Sequence, residues 1–101
     1  MRIAVVADTR PNPSIALLAA QADLLICEAT YAGSHSDLAR ARHHMTAKDA
    51  ATAAHVAQPK RLILTHFSSR YPDPAPLVEE ARAIFPNVEP AIDLLRVSVG
   101  G

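Results

Sequence analysis

The stretch RLILTHFSSRY, residues 61–71, begins as a strand and ends in a group of polar side chains. Its first residues form a short apolar run, which is typical of a parallel strand covered on both faces. The run stops at His66, and Ser68, Ser69 and Arg70 follow within four residues. Because the working residues of open α/β sheets gather beyond the carboxyl ends of the strands, this stretch predicts a functional rim at one end of a sheet.

The rest of the chain alternates between strand and helix patterns. Buried strands are predicted over RIAVVAD (2–8) and DLLICEA (23–29), and a last strand over IDLLRVSV (92–99). Helices are predicted over SIALLAAQA (14–22), TAKDAATAAHVAQ (46–58) and PLVEEARAIF (76–85), whereas TYAGSHSDLARARHH (30–44) reads as loop, too polar for a core element. This alternation predicts an α/β fold with a parallel sheet built from right-handed crossovers.

The predicted helix over residues 46–58 has the clearest signals. Thr46 is a natural N-cap, and Asp49 three residues later can complete a capping box. Its many alanines favour helix, and Pro59 follows just beyond its end.

Length, charge and cysteine content narrow the class of protein. At 101 residues the chain is one small domain at most. Its ten basic and ten acidic residues cancel, so bulk attraction to nucleic acid or to an anionic membrane is unsupported, although a local basic patch is not excluded. The single cysteine, Cys27, rules out an internal disulfide and a cysteine-based zinc knuckle. Without an apolar run of about 20 residues or a signal-peptide pattern, we expect a cytoplasmic protein that does not bind membranes.

Asp8, Glu28, His44 and His66 are the candidate chemical groups. Asp8, Glu28 and His66 lie at the ends of predicted strands, and His44 lies just before a predicted helix, so their loops are expected to converge. One aspartate, one glutamate and two histidines suit metal-assisted hydrolysis, because carboxylate and imidazole bind cations and a Glu–His pair can move protons.

Each candidate also has a purely structural interpretation. Asp8 fits an Asx-type turn, His66 a buried histidine bonded to backbone, and His44 a solvated loop residue. Glu28 is harder to explain in this way, because a carboxylate that ends an apolar strand needs a partner. His35 and His55 are expected to be incidental.

Four segments in this order, ADTRP, ADLLICEATY, HHMTAKDAA and KRLILTHFSSRY, resemble the C-terminal half of ribonuclease Z, a family of metallo-β-lactamase-fold endonucleases that trim tRNA 3′ ends. The resemblance covers about residues 3–71. It implies the C-terminal half of an αββα sandwich, with mostly parallel βαβα units and a final strand. Residues 1–101 would then be a single partial domain.

The resemblance also implies roles for individual residues. Asp8 resembles the aspartate that bridges two zinc ions, and His66 resembles the last histidine ligand. Glu28 and His44 resemble a pair that moves a proton to the leaving oxygen. Ser68 and Arg70, in the loop after His66, are expected to bind the substrate phosphate. Zinc is the implied cofactor, and a tRNA precursor or another phosphodiester is the implied substrate.

The sequence also departs from the family pattern. Ala7 replaces a glycine, Cys27 a histidine, and Met45 the middle residue of a His-Ser-Thr motif. The family's His-x-His-x-Asp-His motif, which supplies most zinc ligands, and its substrate-gripping arm are absent from the sequence. We therefore expect no stable dinuclear centre in this chain alone, and little or no nuclease activity.

The same absence bears on assembly and on the alternatives. One half of the sandwich would leave an apolar sheet face uncovered, so we expect association with a second copy or with a complementary N-terminal half. One alternative is a non-catalytic half-fold acting as a binding or structural subunit. Another is a related hydrolase of small phosphodiesters.

Overall fold

The structure, a computed structural model, describes residues 2–6 and 13–91. The strands of this part are β1 (Ile3–Val6), β2 (Leu24–Glu28), β3 (Leu62–Thr65) and β4 (Val88–Pro90). The helices are α1 (Pro13–Ala19), α2 (Ser36–Ala41), α3 (Ala47–Ala57) and α4 (Ala75–Arg82), with a 3₁₀ turn at Gly33–His35 before α2.

The four strands form one parallel sheet in the order β1-β2-β3-β4. On one face α1, α3 and α4 pack side by side, with α3 lying over β2 and β3. The alanines of α3 let its backbone approach the sheet closely. The core lies between the helices and the sheet, and its buried residues include Val6, Leu25, Cys27, Ala47, Ala50, Ala54, Leu62, Leu64, Leu77 and Val88. The predicted parallel α/β fold is confirmed in this part of the chain.

The opposite face of the sheet carries the alternate side chains of the strands. Ile3 and Val5 of β1 are 50% and 60% exposed, Ile26 is half-buried, and Leu24 and Ile63 are buried. No helix of the described residues packs on this face. An apolar surface is therefore open along β1.

The capping box predicted for α3 is confirmed. The Asp49 N–H donates to Thr46 Oγ1 at 3.0 Å, and the Thr46 N–H donates to Asp49 Oδ2 at 3.0 Å. The helix therefore begins at a defined residue, which fixes the position of the segment just before it.

Two parts of the secondary-structure prediction were wrong. Residues 30–44 are not a loop, because they contain the 3₁₀ turn and α2. Helix α2 has only Ala39 buried, so it has no apolar stripe for a pattern to detect. Strand β4 was missed, since its three residues are too short to alternate and include Pro90. The strand predicted over residues 92–99 lies outside the described residues.

Among the helices of the described residues, none has both the length and the apolar character that crossing a bilayer requires.

Candidate functional site

The backbone just after β2 fixes the loop that follows β3. The Ala29 N–H donates to the Thr65 carbonyl at 2.8 Å, and the Ser68 N–H donates to the Thr30 carbonyl at 2.9 Å. The segments that follow β2 and β3 thus stay paired for several residues beyond the sheet. This pairing holds His66 beside the end of β2.

The same backbone also binds the segment that leads into α3. The Thr30 N–H donates to the Met45 carbonyl at 3.1 Å, and the Ala47 N–H donates to the Tyr31 carbonyl at 2.9 Å. Residues 29–31 therefore lie between the loop after β3 and the start of α3, with backbone bonds to both. Their position brings three separate parts of the chain to one rim.

The end of α2 determines where His44 lies. The His43 N–H donates to the Arg40 carbonyl at 3.2 Å, and the His44 N–H donates to the Ala39 carbonyl at 2.8 Å. His43 has a left-handed backbone, with φ of 59°. These features form a Schellman motif, in which a left-handed residue ends the helix and reverses the chain. The motif turns His44 away from α2 and toward β2.

Glu28 and His44 form a direct pair at this rim. The Glu28 side chain is fully buried, and its Oε2 lies 2.8 Å from His44 Nδ1. The same oxygen accepts a hydrogen bond from Thr30 Oγ1 at 2.6 Å. An ionised carboxylate can only accept hydrogen bonds, so His44 then carries a proton on Nδ1. The His44 side chain is 23% exposed, which leaves its ring accessible from the rim.

His66 lies beside this pair. Its ring centroid is 5.8 Å from that of His44, and the two rings are inclined by 35°. The residue is exposed and has φ of 62°. Left-handed backbone is uncommon for a residue with a side chain, and such strain concentrates at functional sites.

Three of the residues singled out from the sequence therefore come together: Glu28, His44 and His66. Ser68 and Arg70 lie in the loop just beyond His66, where Ser68 Oγ accepts from the Arg70 N–H at 3.2 Å. Asp8 lies outside the described residues.

Sequence reasoning missed two residues of the rim, Thr30 and Tyr31. Thr30 bonds the Glu28 carboxylate, and the buried ring of Tyr31 lies 6.3 Å, centroid to centroid, from that of His44. Thr30 was detectable, because side chains two residues apart in extended chain share a face. The position of Tyr31 was not, since it depends on a bridge between Tyr31 and Thr46.

Cys27 and Met45 fill the space behind the rim. Both are fully buried, and Cys27 Sγ lies 3.9 Å from Met45 Sδ. Burial, with a smaller effect of the neighbouring Glu28 carboxylate, raises the pKa of the Cys27 thiol to about 12. This thiol therefore stays protonated and packs as an apolar side chain.

Comparison with known proteins shows which family the chain resembles. No protein-family model matches the sequence. The chain is 53% identical over 89 residues to ribonuclease Z of Chlamydia abortus, covering 88% of the chain and 29% of that protein. It is 50% identical over 93 residues to ribonuclease Z of Salinibacter ruber, covering 92% of the chain and 29% of that protein. Both matches fall in the C-terminal portion of the relatives. The chain belongs to the ribonuclease Z family. It spans less than a third of the length of these curated relatives.

Solved structures agree with this family. The metallo-β-lactamase fold protein YhfI from Bacillus subtilis has a TM-score of 0.81 and 27% identity, covering 88% of this chain and 36% of its own. Human tRNase Z, short form, has a TM-score of 0.71 and 33% identity, covering 96% of this chain and 33% of its own. The family's fold is thus the metallo-β-lactamase fold, of which this chain forms the C-terminal part, as expected from the sequence.

Proposed function

We propose that this chain provides the proton-transfer pair, and part of the metal and phosphate contacts, of a ribonuclease Z-type phosphodiester hydrolase that processes tRNA 3′ ends. The observation that carries the proposal is the fully buried Glu28 carboxylate, 2.8 Å from His44 Nδ1 at the rim that also bears His66. The family relationship supports a nuclease, although the chain spans only 29% of these relatives.

The pair has the arrangement that a general acid requires. Hydrolysis adds water at phosphorus and breaks the bond to the leaving oxygen, which must gain a proton. Protonated His44 can donate that proton from Nε2 while Nδ1–H remains bonded to Glu28. The buried carboxylate fixes the ring through this hydrogen bond, and Thr30 Oγ1 donates to the same carboxylate.

Zinc is the proposed cofactor, with Asp8 and His66 among its ligands. The His66 imidazole is exposed at the rim and has suitable donor chemistry. When bound, zinc polarises a phosphate oxygen and makes water a stronger nucleophile. Among the described residues no group of three His, Cys, Asp or Glu side chains can hold a metal. Catalytic zinc usually has three protein ligands, so this chain alone is proposed to lack a stable dinuclear centre and to be inactive.

The remaining ligands are proposed to come from a complementary N-terminal half or from a second copy. The exposed Ile3 and Val5 on the open sheet face support such an association. Ser68 and Arg70 are proposed to contact the phosphate of the tRNA precursor. We propose a cytoplasmic location for the protein.

The lack of three clustered metal-ligating side chains among the described residues also favours a second candidate, a non-catalytic subunit that keeps the rim residues. This chain would then assemble with a partner without contributing to chemistry. The two functions differ in whether His44 matters for turnover.

The test combines this chain with the separately produced part of Salinibacter ruber ribonuclease Z that it does not match, and measures cleavage of a tRNA precursor. Loss of a general acid costs about 100-fold or more, so His44→Ala and Glu28→Gln should each lower kcat by at least that factor. His55→Ala is the matched control, because His55 is exposed on α3. Cleavage at the wild-type rate by His44→Ala contradicts the proposal. An inactive mixture that still forms a complex favours the non-catalytic subunit.

A further inference from the structure

At the amino end of the sheet, Arg2 donates from Nη2 to the Leu18 carbonyl at 3.2 Å, and two further cations form ion pairs. At the amino end, Lys60 Nζ lies 3.0 Å from Asp23 Oδ1, and Arg61 pairs with Glu89. These cations are neutralised by carboxylates. Lys60 and Arg61 are therefore not available to bind an anionic ligand without breaking these ion pairs.

The carboxyl end carries cations of a different kind. Arg42 and Arg70 are exposed there, and neither forms an ion pair with any carboxylate of the described residues. Glu28 is the nearby acid, but it is fully buried and bonded to His44. Asp37 lies at the opposite end of α2 from Arg42. Among the described residues, two arginines without an ion pair thus lie at the rim beside the proposed catalytic pair.

Arg42 is tied to that pair through Tyr31. Arg42 Nη1 donates to Tyr31 Oη at 3.4 Å, and the buried Tyr31 ring packs near His44. Arg42 also caps α2, two residues before His44. Its guanidinium is therefore held at the rim without an ion pair to a carboxylate of the described residues.

We propose that Arg42 binds a phosphodiester group of the substrate backbone next to the bond that is cleaved. The proposal rests on the proposed function and adds a binding residue to the same site. A guanidinium offers a planar fork of donors that matches two phosphate oxygens. Tyr31 limits the freedom of this side chain, which reduces the entropy lost when phosphate binds.

The competing explanation is that Arg42 only stabilises the C-terminal end of α2 through the helix dipole. Arg40 separates the two explanations, because it is exposed in the last turn of the same helix. If the arginines act only through the helix dipole, replacing either one should have the same effect. Phosphate binding beside Tyr31, in contrast, depends on Arg42 alone of the two.

The first experiment measures precursor-tRNA cleavage by this chain combined with the unmatched part of Salinibacter ruber ribonuclease Z, over a range of salt concentrations. We expect Arg42→Ala to raise KM about 10-fold, which corresponds to about 1.4 kcal/mol, with a smaller change in kcat. The slope of log(kcat/KM) against log[salt] should become less steep by about 0.7 to 0.9. Arg42→Lys should recover the salt slope but only part of KM, and Arg40→Ala should resemble wild type.

An unchanged KM and salt slope in Arg42→Ala overturns the assignment while leaving the proposed function intact. An effect of Arg40→Ala equal to that of Arg42→Ala overturns it too, in favour of the helix dipole.

A second experiment does not depend on catalysis. The isotope-labelled full chain is titrated with a short single-stranded RNA, and the arginine side-chain NMR signals are followed. We expect the Arg42 Nε signal to shift and those of Arg61 and Arg82 to stay in place. If the combined proteins never cleave, the proposed function fails, and this titration still decides Arg42: no shift at Arg42 overturns the assignment.

Discussion

His44 Nδ1 lies 2.8 Å from Oε2 of Glu28, although the two residues are 16 positions apart in the chain. The contact depends on two features of the backbone. Residues 29–31 bond the segment before α3, and the Schellman motif at the end of α2 turns His44 toward β2. A buried carboxylate and a partly exposed imidazole are thereby joined at the end of the sheet.

Thr30 should contribute to stability through its bond to the buried carboxylate. Hydrogen bonds to charged groups contribute roughly 1.5–3 kcal/mol, so Thr30→Val should lower the free energy of unfolding in urea by about that amount. Thr52→Val is the matched control, because Thr52 is exposed on α3 and bonds only the Lys48 carbonyl among described groups. Its loss should be about 0.5 kcal/mol or less. Equal losses in the two variants would show that the Thr30 bond to Glu28 has no special value.

His43 should be replaceable by glycine with a gain in stability. Its φ of 59° is strained for a residue with a Cβ atom, by roughly 1 kcal/mol, and glycine is preferred at this position of a Schellman motif. His43→Gly should raise the urea midpoint, and His43→Val should lower it. In α3 the same change, His55→Gly, should instead lower the free energy of unfolding by about 0.5 kcal/mol. A destabilising His43→Gly would contradict the role given to the left-handed turn.

Cys27 should be unreactive in the folded protein. Burial raises the pKa of its thiol to about 12, so almost no thiolate exists at pH 8 and the sulfur is shielded from solvent. A thiol-specific reagent such as DTNB should label the chain in urea and leave the native chain unlabelled over the same time. Rapid labelling of the native protein would mean that the Cys27–Met45 packing is open in solution.

The exposed face of β1 should drive association. Val5 is 60% exposed on the sheet face that no helix of the described residues covers, so Val5→Lys should shift the protein toward monomer in light scattering at tens of micromolar. Leu17→Lys is the control, because Leu17 is 76% exposed on α1, on the helical side, and should not change the oligomeric state. A wild-type chain that is already monomeric under these conditions would remove the basis for this expectation.

The convergence of the rim was predictable from residue types at strand ends. Glu28 follows an apolar strand directly and needs a partner, and His66 ends the next strand of a parallel sheet. The capping box of Thr46 and Asp49 was equally readable, because it depends on residues three positions apart.

The geometry of the pair was not predictable in the same way. Helix α2 buries only Ala39, so no apolar pattern marks it. Without that helix, the turn at His43 that orients His44 has no signal in the sequence. The left-handed backbone of His66 is also hidden, because histidine, although enriched at positive φ, still adopts negative φ in most cases. The metal roles of Asp8 and His66 remain predictions.

We propose that this chain carries the proton-transfer half of a catalytic site whose other metal ligands lie elsewhere. The most direct measurement is a metal analysis of the purified full chain, made together with a precursor-tRNA cleavage assay of the same sample. We predict fewer than two zinc ions per chain and no cleavage above background. Two tightly bound zinc ions together with turnover by the chain alone would contradict the account.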